Sequence, residues 1–262
     1  MIRAMYTAAS GMSAQQLNLD TIAHNLANSS TNGFRQLRLQ FQDMLYQSLV
    51  TPGAAQSQTT TSAGLQIGLG TRSSATEIIM TQGEIDQTNN PLDVAIEGPG
   101  FFQVQRPDGT IAYTRAGQFH LNNQGTIVTV DGDPVLPTIT IPVNATSVSI
   151  TQYGLVNASL PGQTNPAQLG QIQLATFANP GGLELLGGNL LRQTFSSGDA
   201  VLGNPGGTEG LGTLQQGYLE ASNVDVVTQF VQMVLAQRAY ESNSKVIKAA
   251  DDMYSQVNNL TR

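Results

Sequence analysis

The chain has 262 residues, with 11 Lys+Arg against 18 Asp+Glu for a net charge of −7; Ser, Thr, Asn and Gln number 18, 26, 18 and 27, and Cys and Trp are absent. This excludes a disulfide framework, thiolate metal or redox chemistry and the basic footprint of a nucleic-acid binder, and with Lys245 and Lys248 as the sole lysines there is no polybasic membrane anchor. The 40% hydrophobic content is enough for a core in one or two domains, and no apolar run approaches the ~18 residues of a membrane span.

The opening MIRAMYTAASGMSAQQ alternates small and polar residues after one Arg, without the continuous apolar stretch of a cleaved secretory signal. From Ile2 to Ala27 there is no Pro, and Gly11 is the one Gly, so a helix is predicted. Met5, Met12, Leu19 and Leu26 recur every seven residues; Ile2, Ala9, Gln16 and Ala23 form a second row at the offset of a coiled-coil seam. The helix is expected to stop around Asn32-Gly33, a pair suited to a left-handed backbone.

Thr51–Gly70 is polar and poor in charge and reads as an extended arm or long hairpin. Short alternating runs follow: Leu92–Glu97, Phe101–Gln105, Ile111–Arg115, Thr126–Val130, Thr138–Ile141 and Gln171–Phe177 all read as strands. The turns between them, such as Pro107-Asp108-Gly109, have their own chemistry. Regular βαβ alternation is absent, so the middle is expected to be antiparallel β. Asn179–Gly217, rich in Gly and Leu, is expected to be irregular.

Ser222-Asn223-Val224-Asp225 reads as a helix start, with a hydroxyl to cap and an acid three residues later. Val226, Met233, Tyr240, Ile247 and Tyr254 then recur every seven residues, and Gln229, Ala236, Asn243, Ala250 and Val257 fill the second row. A further stripe, Val224, Val227, Val231 and Val234, makes the first half of this helix apolar on two faces. The fold class expected is α+β: paired long N- and C-terminal helices forming a coiled-coil inner domain (1–32 with 222–262), a connecting arm (33–75) and a mainly antiparallel β domain (76–221). A lone helix with such a seam is marginal in water. The matching rows of the other terminus are the natural partner, and the extra valine face asks for further neighbours. The same rows would also serve an ordinary bundle core inside one subunit.

No motif in the sequence carries the residues of an active site. His24 and His120 have no second ligand at metal spacing. Asp131-Gly132-Asp133-Pro134 lacks the later acid of a calcium loop, and Gly64–Gly70 lacks the Lys-Ser/Thr of a phosphate loop. Asp251-Asp252 lies off the main seam, where a solvated face is expected. No enzyme activity, cofactor or metal is expected.

Three stretches carry a family resemblance: AASGMSAQQLNLDTIAHNLANSSTNGFR (Ala8–Arg35), NPLDVAIEGPGFFQVQRPDGTIAYTRAGQFHLNNQGTIVTVDGDPVL (Asn90–Leu136) and GYLEASNVDVVTQFVQMVLAQRAYESNSKVIKAADDMYSQVNNL (Gly217–Leu260). They closely resemble the bacterial flagellar rod and hook proteins, with His24 where that family usually has Asn. Total length and Gln58–Arg72 are most similar to the distal-rod branch. The resemblance implies a non-enzymatic axial subunit that self-assembles into a hollow helical tube, transmits torque and conducts exported subunits. Its implied partners are further copies of itself, neighbouring rod and hook proteins, the P- and L-ring proteins as a bushing and the flagellar type III export apparatus. The implied place is the basal body, spanning the periplasm. The assembly interface would be Ile2, Met5, Ala9, Met12, Leu19, Ala23 and Leu26 at one end, and Val226, Val227, Val231, Met233, Val234, Tyr240, Asn243, Ile247, Ala250, Tyr254 and Val257 at the other. The alternatives are another axial protein of hook or proximal-rod type, a secreted β-rich polysaccharide-binding module, or a glycan hydrolase. A binding module usually displays aromatic platforms, yet aromatic residues are 6% here; a hydrolase needs a spaced acid pair that the sequence does not show.

Overall fold

A computed structural model describes residues 2–50, 55–56, 59–60, 64–163, 165–207 and 210–260. The architecture is α+β, with a long helix near each terminus and antiparallel strands between. The chain divides into two compact units, residues 1–27, 37–78 and 225–262 in one and 28–36 and 79–224 in the other.

In the first unit, α1 (Ile2–Ala27) and α2 (Val226–Leu260) pack along each other. They run antiparallel: Asn25 bonds Gln229 at one end, while Gly11 meets Asn243 farther along. A long hairpin accompanies them. Leu37–Asp43 pairs with Thr71–Ile78, and Tyr46–Val50 pairs with Leu65–Gly68. Each ladder carries a register shift, at Gln40/Phe41 and Ser48/Val50, the kind of irregularity that bends and twists a two-stranded ribbon. Ala55–Gln56 and Thr59–Thr60 pair nearer the tip. Within Thr51–Gly70, residues 51–54, 57–58 and 61–63 lie outside the described set. The hairpin packs on α1 at Gly70, whose backbone (φ 119°) comes against Ser10 and Thr7. Any side chain there would meet the Ser10 hydroxyl, which also accepts a bond from the Thr71 N–H at 3.4 Å.

The helix boundaries differ from the sequence expectation at both ends. α1 stops at Ala27 because Asn28 and Thr31 close a turn, backbone to backbone at 3.1 Å and side chain to side chain at 3.2 Å. At the other end Asp225, not Ser222, caps α2: its carboxylate accepts the Val227 N–H at 3.0 Å and the Thr228 hydroxyl. A carboxylate satisfies the free N–H groups of a first turn and complements the helix dipole. The Ser222 hydroxyl instead accepts the Val224 N–H at 3.4 Å.

The second unit is built around a seven-stranded antiparallel sheet. Its order is Glu184–Gly187, Leu190–Arg192, Ile111–Thr114, Phe101–Gln105, Leu174–Thr176 and Val201–Gly203, with Val135–Leu136 also pairing Phe101–Gln105. A three-stranded sheet, Ser147–Ile150, Leu155–Ser159 and Ala167–Gln171, lies in the same unit. The core gathers Val94, Ile96, Phe102, Val104, Phe119, Ile127, Val156, Ile172 and Leu174. Phe102 stands edge-on to Phe119 with centroids 5.0 Å apart, and Tyr113 to Phe177 at 4.8 Å. Edge-to-face pairs favour the ring quadrupoles.

Two segments depart from the sequence reading. Asn179–Gly217 is not irregular: it supplies strands Glu184–Gly187, Leu190–Arg192, Val201–Gly203 and Thr213–Gln216. The first two form a hairpin turned at Gly187-Gly188-Asn189, all with positive φ. Thr138–Ile141 forms no strand of its own. It makes a single bridge, Thr140 to Thr126, and bonds Ile127 and Gly125 through the Ile139 and Ile141 backbones; Pro137 and Pro142 flank it and cannot donate to a longer ladder.

Candidate assembly interface and a buried ion cluster

The α1–α2 contact is made largely of small and polar residues. On α1 the buried positions are Ala8, Ala14, Ile22 and Asn25. A Cβ at Gly11 would lie 2.8 Å from the Asn243 amide nitrogen, so this glycine lets the helices approach closely. On α2 the buried positions are Gln229, Ala236 and Ala250, with Met233, Asn243 and Ile247 half-buried. These are the two heptad rows read from the sequence of this helix. Val226, Tyr240, Tyr254 and Val257 of the same rows are exposed.

On α1 the rows fall elsewhere. Met5, Met12, Leu19 and Leu26 are half-buried, and Ala9, Gln16 and Ala23 are exposed; the side chain of Ile2 lies outside the described set. The α1 positions seen against α2, Gly11 and Asn25, lie outside the row of largest side chains.

Asn25 fixes the register. Its amide donates to the Leu37 carbonyl at 2.7 Å and to Gln229 Oε1 at 3.4 Å, while its Oδ1 accepts the Leu37 N–H at 2.9 Å. A buried amide satisfied by three groups holds only one alignment of helix, helix and hairpin.

Opposite the α1 contact, α2 is apolar and open. Val227, Val231 and Val234 each sit two positions, about 200°, from Gln229, Met233 and Ala236. Val227 is 72% exposed, and Phe230, Val231, Val234 and Leu235 are exposed beside it. A run of large apolar side chains in water marks a contact surface. The hairpin adds exposed Leu45, Tyr46 and Leu65. Farther along the open face of α2 the residues turn charged: Arg238, Glu241, Lys245 and Lys248 are all exposed.

The second unit holds a feature that the sequence reading missed. Glu220, with its side chain 0% exposed, is clamped between Arg35 at 2.6 Å and Arg115 at 2.9 Å, themselves 6% and 4% exposed. Glu220 Oε1 also accepts the Gly83 N–H, and Arg115 donates to the carbonyls of Gly98, Gly100 and Ile96. Burial pushes the Arg115 pKa down and the Arg35 charge adds to that, while Glu220 opposes it. Around the cluster, Gly33 (φ 71°) donates to the Glu220 carbonyl at 2.8 Å. The Asn223 side chain accepts the Gln36 N–H and donates to the Ile79 and Thr81 carbonyls. Arg35, Arg115 and Glu220 lie in apolar or small-residue surroundings (NGFR, YTRAG, GYLEAS), and this was the available signal of burial.

The other sequence candidates lie apart. His24 is exposed on α1, His120 is exposed in strand His120–Leu121, and Asp251 and Asp252 are exposed on α2. Asp131–Pro134 is a turn closed by the Gly132 N–H on the Thr129 carbonyl. Among the described residues no three His, Cys, Asp or Glu gather as metal ligands, and no helix is long and apolar enough to cross a membrane.

Comparison with known proteins matches three family models along the chain. They are the flagella basal body rod protein over residues 5–35, the flagellar hook protein FlgE/F/G D1 domain over 95–158, and the flagellar basal body rod FlgEFG protein C-terminal region over 215–260. The flagellar basal-body rod protein FlgG of Caulobacter vibrioides is 48% identical over 261 residues, covering 99% of both chains. FlgG of Buchnera aphidicola subsp. Schizaphis graminum is 46% identical, covering 99% of this chain and all of the relative. FlgG of Bacillus subtilis is 42% identical across the full length of both.

Proposed function

Because the chain belongs to the flagellar basal-body rod protein family of FlgG, we infer that it is a non-enzymatic structural subunit of the distal rod in the flagellar basal body. The observation that carries the mechanism is the open apolar face of α2, opposite the side that α1 covers. One subunit leaves that face in water; stacked copies bury it. A contact between unlike faces that does not close a ring propagates as a helical polymer.

In this reading the helices, 1–32 with 222–262, form a coiled-coil inner layer around a channel for exported subunits. Residues 33–75 reach neighbouring copies as an arm, and 76–221 form the outer layer. The assembly surface comprises the rows through Met5, Met12, Leu19 and Leu26 and through Val226, Val227, Val231 and Val234, with Ile2, Ala9, Ala23, Tyr240, Tyr254 and Val257 beside them. Met233, Asn243, Ile247 and Ala250 hold the helix pair that presents it. Rod and hook proteins continue the shaft at its ends, the P- and L-ring proteins form its bushing, and the type III apparatus exports it.

Electron microscopy of the concentrated full chain tests the reading. Straight tubes are expected, and Val231→Asp is expected to leave dispersed, folded subunits. A chain that stays monomeric at every concentration would overturn it.

A further inference from the structure

Phe195 is 105% exposed, more than any other large apolar side chain among the described residues. It takes the second position of a tight turn, Thr194–Ser197, and that turn is firmly made. The Ser197 N–H bonds the Thr194 carbonyl at 3.3 Å, and the buried Ser197 hydroxyl accepts the Thr194 N–H at 3.0 Å. From outside the turn, the Asn179 side chain donates to the Ser196 carbonyl at 3.0 Å and the Asn179 N–H to the Ser197 carbonyl at 3.2 Å. The phenyl ring is thus held out in water on a backbone ordered in advance, so covering it costs little further ordering.

The same unit carries a hollow of about 460 Å³ with no charged residue in its lining. Its floor is Ile141 with Leu92, Ala145 and Val148, which belong to the hydrophobic core or pack against it. Leu121 and Val143, 42% and 94% exposed, stand at the rim. Polar groups beside them are already used: Asn122 Oδ1 accepts the Gln124 and Thr126 N–H groups, and the Pro142 carbonyl accepts the Ala145 N–H. An apolar cavity of ~150 Å³ is enough for a benzene-sized ring, so this hollow admits a phenyl group with part of the turn that bears it. The smaller cavity beside Phe101 suits such a ring less well, since Arg35 and Arg115 line it.

We propose that Phe195 of one copy seats in this hollow of the next, as a knob in a hole. The ring is uncovered in its own copy, and no residue of its turn takes part in lining the hollow. Both are apolar, both are held in shape before contact, and every copy carries one of each. A contact between them uses the knob of one copy and the hollow of the other, leaving one knob and one hollow free. That is a contact of unlike faces, which propagates instead of closing on a pair. The inference rests on the polymer reading and adds to the α2 face a second contact, made by the β unit.

The test uses the full-length chain and follows assembly by sedimentation and electron microscopy. Phe195→Ser and Val143→Glu, both at exposed positions, are expected to leave circular dichroism and the unfolding midpoint unchanged. Each is expected to raise the concentration needed for assembly at least tenfold. The double variant is expected to stay within about threefold of the worse single one, because both remove the same contact. For a direct readout, p-benzoylphenylalanine replaces Phe195 and the chain is mixed with an isotopically heavy wild-type copy before assembly. Irradiated tubes are expected to join position 195 to residues 141–148 or 121–125 of the heavy copy, read by mass spectrometry. Crosslinks only to other parts of a neighbour, or assembly of both single variants at the wild-type concentration, overturn the proposal. So do tubes that give no crosslink at all, which leave the ring free for a different protein. Failure of the unmodified chain to assemble strikes the polymer reading itself, whereas normal tubes without this crosslink strike only the knob contact.

Discussion

Glu220 is the residue whose loss should be felt most. Exchanging Glu220→Gln leaves Arg35 and Arg115 buried without a counter-charge. Removing one partner of a buried pair costs about 3–5 kcal/mol, so the midpoint of denaturant unfolding of the β unit is expected to fall accordingly. Gly33→Ala acts on the same spot through the backbone. A Cβ there would sit 2.6 Å from the Ala116 nitrogen and 2.8 Å from the Arg115 carbonyl carbon, on top of the roughly 1–3 kcal/mol of a left-handed non-glycine residue. Asp225 gives a pH signature. Its pKa is lowered by the Thr228 hydroxyl and the Val227 N–H. Its capping contribution is therefore present above the ordinary value of 3.8 and lost as pH falls through the lowered one. Amide exchange at Val227 and Thr228 should accelerate across that acidic window in the wild type, and should already be fast at neutral pH in Asp225→Ala. At this scale the sequence was least legible. A charged letter is normally a surface letter, and nothing local tells that Arg35, Arg115 and Glu220, far apart in the chain, converge on one buried point.

At the scale of elements, periodicity located both helices and the contact face of α2, but not that of α1. The heptad row of α1 follows bulk, through Met5, Met12, Leu19 and Leu26. The helices instead meet at Gly11, where α1 is thin, and Asn25 sets the alignment. Close approach of backbones rewards small residues, which a search for large ones passes over. Asn179–Gly217 hid its strands for a related reason: paired glycines looked like loop, when Gly187-Gly188 is the turn of a hairpin. The two faces of α2 should separate in experiment. Ile247→Asp is expected to loosen the α1–α2 pair in the single subunit, lowering its helical signal. Val231→Asp, at an exposed site, is expected to leave that signal within about 0.5 kcal/mol of wild-type stability while preventing tubes. Equal effects of the two on the monomer would contradict this division of roles.

For the whole molecule, the extended, partly polar α1–α2 contact gives an expectation for the dilute chain. Amide exchange should be slow in the β core around Phe102 and Val104 and faster along both helices, then slow in the helices on assembly. Strong protection of both termini in dilute monomer would show that the subunit needs no neighbours to order its ends. The α+β architecture and antiparallel middle were legible because alternation and turn chemistry are local. The sheet order was not, since Phe101–Gln105 takes partners from Ile111–Thr114, Val135–Leu136 and Leu174–Thr176, pairings whose choice depends on the packed whole.

Lys245 and Lys248 are the only lysines in the chain, and both stand exposed on the open side of α2 beyond the valines. Amine acylation thus becomes a footprinting assay with two side-chain targets on a single helical face. Mass shifts at these positions before and after polymerisation would report directly whether neighbouring molecules shield that stretch.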